Sequence, residues 1–259
     1  MVLQLEQLLS LQQGISLAEA SKVALQNRVD SKFLLHTSQL IEFLTACSSD
    51  YAVLDILGRL PRYRSLYFDS DALDLYFQHH NGYAKRYKLR SRSYVDSQRH
   101  FLEFKEKLRE RTIKQRISTE RFVDNLASYP QGQPWLRSRT AHTSTAWHPQ
   151  LYSHYRRICL IGKNQQERLT VDVELSCSHL STSIAWEDLA IVELKQAKAN
   201  LTSPARQALR AMGVRRSSFS KYCMGLASLN SSLKQNHFKA SFLQLEKLGI
   251  DSRTAPISC

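Results

Sequence analysis

Residues 86–94 read Arg86-Tyr87-Lys88-Leu89-Arg90-Ser91-Arg92-Ser93-Tyr94. Cations recur at every second position, and successive side chains of a β-strand point to opposite faces. In a strand, Arg86, Lys88, Arg90, Arg92 and Tyr94 therefore share one face, and Tyr87, Leu89, Ser91 and Ser93 the other. Four cations in a row, about 7 Å apart by strand rise, repel one another unless something anionic lies across them.

The same alternation continues on either side. Residues 101–107 place Glu103, Lys105 and Lys107 opposite Leu102 and Phe104. The following run sets Lys114 and Arg116 against Ile113 and Ile117. Residues 167–175 set Arg168, Thr170, Asp172 and Glu174 against Leu169, Val171, Val173 and Leu175. Residues 191–195 set Glu193 and Lys195 against Val192 and Leu194. Strands are expected at 51–57, 64–69, 85–95, 100–107, 111–118, 151–161, 167–176 and 188–196. Helices are expected at 37–47, 119–127, 203–212, 218–234 and 238–248, with a helical lead-in over 1–27, a loop over 128–150 and a frayed tail over 250–259. Strands adjacent in sequence favour an antiparallel sheet over βαβ units. One reading is a half-buried sheet with its charged face in water. Cross-strand neighbours on a solvated face prefer opposite charges, whereas here Arg and Lys dominate. The other reading is an α+β fold in which an antiparallel β-barrel turns its charges inward and flanking helices cover its apolar faces.

Across 259 residues there are 36 Lys+Arg and 23 Asp+Glu, a net charge of +13 that attracts anions. Cys47, Cys159, Cys177, Cys223 and Cys259 are odd in number and form no Cys-x-x-Cys pair, so neither a disulfide framework nor a zinc site is indicated. No run of about 18 apolar residues exists, and Met1–Glu6 lacks a basic leader. A cytoplasmic protein without a transmembrane segment is expected. Nucleic acid is not expected, because the basic strand faces carry few aromatics for base stacking, mainly Tyr94.

Four stretches then carry a resemblance. They are Arg28-Val29-Asp30-Ser31-Lys32-Phe33; Ser65-Leu66-Tyr67-Phe68-Asp69-Ser70 with 87–94; Leu102-Glu103-Phe104-Lys105 with Ile113-Lys114-Gln115-Arg116; and Val192-Glu193-Leu194-Lys195 with Arg216-Ser217-Ser218-Phe219-Ser220-Lys221-Tyr222. In order and spacing they resemble the polyphosphate polymerase (VTC) domain family of the triphosphate tunnel metalloenzymes, over about Arg28 to Leu229. Tyr155-Arg156-Arg157 and Arg168 stand where that family has two further tunnel arginines. Asp30 is the single carboxylate immediately before Lys32, where many tunnel enzymes have two glutamates.

The resemblance implies a tunnel domain over 28–249 that binds ATP and polyphosphate or triphosphate. Phosphoryl transfer needs neutralised charge, in-line positioning and a metal bridging phosphate oxygens. Arg90, Arg92, Lys105, Arg157, Arg168 and Lys221 are the implied catalytic residues. Lys32, Lys88, Lys114, Arg116, Lys195 and Ser220 join them in binding phosphate. Glu193, with Glu103, Asp172 and Glu174, is implied as ligand to Mn²⁺ or Mg²⁺. Three activities stay open: a polymerase transferring the γ-phosphoryl of ATP to a chain, a triphosphatase, and a non-catalytic polyphosphate-binding module. Tyr67 and Phe68 are read as wall and core, and regulatory or membrane partner subunits are left open.

Overall fold

The computed structural model describes residues 1–21, 28–109, 111–139 and 146–252. In chain order it contains α1 (Val2–Leu11), β1 (Gly14–Ile15), α2 (Leu17–Ser21), β2 (Val29–His36), α3 (Leu40–Cys47), β3 (Tyr51–Leu54), β4 (Arg62–Asp69), α4 (Asp74–His80), β5 (Lys85–Tyr94), β6 (Arg99–Leu108), β7 (Arg111–Thr119), α5 (Gln133–Arg137), β8 (His148–Gly162), β9 (Glu167–His179), β10 (Thr182–Trp186), β11 (Leu189–Gln196), α6 (Pro204–Ala211), β12 (Arg216–Ser217), α7 (Lys221–Leu229) and α8 (Lys239–Lys247). Val23 and Leu25, assigned to the helical lead-in, and positions 253–259 of the expected tail lie outside the described residues.

The strands form one large sheet in the order β12-β2-β11-β9-β8-β4-β5-β6-β7. Every neighbouring pair on this path is antiparallel, while β1 joins β3 in parallel at the side. The expected closed barrel is not formed. Among the described residues the path ends at β12 and β7, and no ladder joins them. The physical reason is that β12 has only two residues before the chain turns into α7. The sheet nevertheless curls. Lys32 on β2 and Glu193 on β11 act electrostatically on Lys105 of β6, from the far end of the sheet order.

Two apolar layers hold this curl. On the convex side, Phe33, Leu35, Ile158, Leu160, Leu169, Val171, Val192 and Leu194 pack against α1, α3 and α6 through Leu5, Leu9, Phe43, Leu44 and Leu209. On the concave side, α7 covers one half of β8 and β9, and Tyr222 to Leu229 are all buried. Gly225 permits that approach, because a Cβ there would stand 2.6 Å from Leu151 Cδ2 and 3.0 Å from Cys177 Sγ. The other half of the concave face is left for the charged side chains.

The helix expected at 119–127 is absent. Thr119 Oγ1 donates to the Arg121 carbonyl, the Val123 amide donates to Ser91 Oγ, and Asn125 Oδ1 accepts from the Ala127 amide. These side chains take backbone groups that a helix would need. Regular structure resumes within the expected loop, where Pro130 opens a 3₁₀ turn running into α5. The strand from Tyr51 stops at Leu54, before the left-handed residues Leu57 (φ 53°) and Gly58 (φ 106°).

Candidate phosphate-binding site

The concave face is assembled from strand register. Tyr67 lies directly opposite Arg90, and Ser65 opposite Arg92. Arg90 lies opposite Glu103, and Lys88 opposite Lys105. Lys105 lies opposite Lys114, and Glu103 opposite Arg116. Directly paired residues share a face, so the alternation seen along single strands becomes a two-dimensional array.

Three carboxylates hold the array together. Glu193 Oε1 takes Lys32 Nζ at 2.8 Å, and its Oε2 takes Lys195 Nζ at 2.8 Å. Asp172 meets Arg157 through two hydrogen bonds of 2.5 and 2.8 Å and also accepts from Lys221. Glu103 pairs with Arg90 at 2.6 Å and Lys114 at 2.6 Å, with Arg92 at 3.9 Å. Around them stand Lys88, which donates to Ser220 Oγ at 2.8 Å, and Arg168, which reaches the Ala20 carbonyl at 3.3 Å. Ser220 also caps α7 by accepting from the Cys223 amide. Tyrosines finish the wall. Arg90 donates to Tyr67 and Arg92 to Tyr155, while Lys221 lies 4.5 Å from the Tyr155 ring centre.

Ten cations of the predicted set thus stand against these three carboxylates and Asp30, which lies opposite Lys195 and also acts on Lys32 and Lys105, a surplus that the electrostatics register. Burial, then neighbouring cations such as Lys32 and Arg90, push Lys88 down to about 8. Burial, then Lys88 and Lys32, push Lys105 to about 8. Burial opposes ionisation of Glu103, but Arg90, Arg92 and Lys114 hold it well below the usual carboxylate range. Burial likewise opposes the charge on Glu193, which Lys195 and Lys32 keep ionised far below its ordinary value. Asp172 is lowered in the same way, against burial, by Arg157 and Lys221.

Two predicted residues sit elsewhere. Glu174 does not share the face of Asp172. Its backbone takes a left-handed φ of 52° where the β8–β9 register shifts, so β9 has one extra residue at this bulge. Period 2 is broken, and Glu174 turns outward to Arg156 at 3.0 Å, beside Glu6 of α1. Arg116 keeps to the concave side but lies exposed on edge strand β7, its guanidinium 4.5 Å from the Phe101 ring centre. Sequence reading missed the contributions of Ser65 and Tyr63 and the hydroxyl roles of Tyr67 and Tyr155. Tyr67 belongs to a stretch that was singled out, but its place beside Arg90 follows only from the β4–β5 register.

Among the described residues, no three of His, Cys, Asp and Glu converge as metal donors. Both oxygens of Glu193 are occupied by lysines. The side chains therefore do not make a metal cage of their own. A hard divalent ion fits here only with phosphate oxygens as its principal ligands and one carboxylate from the protein. Two surface cavities, of about 470 and 1010 Å³, lie elsewhere, one beside α1 and one beside α8, and contain none of the clustered cations. No described helix is long and apolar enough to cross a membrane.

A family model for the VTC domain matches residues 27–230. No curated protein matches the chain. Among solved structures, an adenylate cyclase candidate from Bacillus halodurans shares 10% identity, covers 75% of this chain and 94% of its own, and superposes with a TM-score of 0.51. An adenylyl cyclase candidate from Hippeastrum, described as having a dominant triphosphatase activity, shares 13% identity over 76% of this chain and 94% of its own at a TM-score of 0.42. The former likeness extends to the fold alone.

Proposed function

The chain belongs to the VTC domain family, and from that premise we propose that it is a polyphosphate polymerase, moving the γ-phosphoryl group of ATP onto a phosphate chain held along the concave face. The observation that carries this reading is the cationic surplus. Half-buried lysines pushed down to about 8, first by burial and then by neighbouring cations, are an arrangement whose charge a polyanion stabilises.

Arg90, Arg92 and Arg157 offer planar forks to phosphate oxygens, and Lys32, Lys88, Lys105, Lys114, Lys195 and Lys221 act as point charges. Arg168 adds a further guanidinium, and the Ser220 hydroxyl beside Lys88 a further donor. In the transfer, a terminal oxygen of the chain bonds to Pγ while the bond from Pγ to the bridging oxygen on Pβ breaks. ADP leaves, and the chain gains one phosphate. That acceptor oxygen is already anionic, so no base has to take a proton from it. Mn²⁺ or Mg²⁺ would enter as the complex of the nucleotide phosphates, supplying Lewis acidity, with Glu193 as its protein oxygen.

The test is protein incubated with ATP and Mn²⁺, with products resolved on a polyphosphate-stained gel and free phosphate assayed in parallel. Long polymer is the expected outcome. Free phosphate without polymer would replace the polymerase by a triphosphatase. Tight polyphosphate binding with neither product would make this a binding module.

A further inference from the structure

The phosphate array ends, at the β5–β6 hairpin, in a group of aromatic rings that phosphate chemistry does not require. Phe101 is the direct cross-strand partner of Arg92, and Tyr94 follows Arg92 on the same face of β5. The Tyr94 and Phe101 rings meet edge to face, with centroids 5.5 Å apart. Tyr63 tilts against Tyr94 at 4.9 Å and stacks on Tyr155 at 5.3 Å. These rings divide into two sets. Tyr63 and Tyr155 lie against the site cations, with Arg157 about 5 Å from each and Lys221 over Tyr155. Phe101 and Tyr94 lie one step further out, and the exposed guanidinium of Arg116 rests on Phe101.

A phosphate chain presents no π face and no apolar surface, so it gains nothing from rings. A nucleoside triphosphate carries a planar base at one end of its phosphates. Guanidinium planes and aromatic rings are the surfaces on which such bases stack. Resting on the phosphate-transfer reading above, we propose that Arg116, seated on Phe101 with Tyr94 beside it, is the stacking platform for the base of the donor nucleotide. The arginine lies sandwiched between ring and base, and its role is recognition of the nucleoside in place of the phosphate contact implied by sequence. The platform also sets direction. With the base at Phe101, the phosphates run past Arg92 and Arg90 towards Lys88 and Ser220, since these follow one another along β5 and its contact with α7. The chain end then meets Pγ from the α7 side.

The experiment compares binding of ATP and of inorganic tripolyphosphate, each with Mn²⁺, by titration calorimetry on the full chain and on Arg116→Lys. Lysine keeps the charge and removes the plane. The expected result is a Kd for ATP raised about tenfold, from loss of a base stack, with the Kd for tripolyphosphate within about twofold of the unmodified protein. Tyr94→Leu, with its fold checked by circular dichroism, should shift ATP alone in the same direction. Equal weakening of both ligands, or of neither, overturns the platform and leaves the phosphate reading standing. Failure of the unmodified protein to bind either ligand overturns both.

Discussion

Arg157 and Asp172 face each other as paired residues of β8 and β9, joined by two hydrogen bonds, and Lys221 of α7 closes on the same carboxylate. Strand register and helix docking are thus tied through one buried anion.

Replacing it should separate stability from binding. Asp172→Asn leaves Arg157 and Lys221 buried without a counter-charge, which costs about 3–5 kcal/mol when one partner of such a pair is removed. Tripolyphosphate should restore much of the loss. The check is thermal unfolding with and without tripolyphosphate, where the ligand should raise Tm more in the variant than in the unmodified protein. An equal or smaller rise would show that phosphate does not reach these cations.

Protonation should accompany binding. Lys88 and Lys105 lie near 8 in the folded chain against 10.5 for a free lysine. Between those values the unfolded chain holds protons that the folded chain has released, so their contribution to stability rises with pH across this window. A bound polyanion raises both values again. Tripolyphosphate binding at pH 8.5 should therefore take up protons, and affinity should fall as pH climbs above 8. Calorimetry in two buffers of different ionisation enthalpy measures the uptake, which Lys105→Met should reduce. Binding without proton uptake would contradict the electrostatics described.

The two glutamates should behave oppositely. Glu193→Gln removes the carboxylate between Lys32 and Lys195 and should lower metal-dependent turnover at least tenfold, the scale of lost charge-assisted contacts. Glu174→Gln, on the outer face beside Arg156, should change turnover less than about twofold. Turnover of both variants under saturating ATP and Mn²⁺ decides the point. Comparable losses would mean that β9 lacks the bulge.

Packing of α7 gives a prediction free of charge. A methyl at Gly225 would enter the space of Leu151 and Cys177. Gly225→Ala should destabilise the fold by about 1–3 kcal/mol through overpacking, although alanine favours helix. Denaturant unfolding measures it, and unchanged or raised stability would show that α7 can shift away from β8 and β9.

The residue pattern alone determined which side chains share a face on β5, β6, β7 and β11, because side-chain direction in a regular strand depends only on parity. It also determined the cationic surplus and the family to which the chain belongs, since both are properties of residue identity and order. It misassigned Glu174, because a bulge changes parity through a single left-handed residue that no alternation reveals. It also read 119–127 as helix, because apolar spacing does not report that side chains have taken the backbone's hydrogen bonds. Only the tertiary structure decided that the sheet curls without closing, that each interior carboxylate is engaged by several cations, and that Tyr67, Tyr155 and Ser65 hydrogen-bond the arginines of the cationic face. Those are relations between residues far apart in the chain, set by cross-strand register and by the seat of α7, and no local pattern along the sequence encodes them.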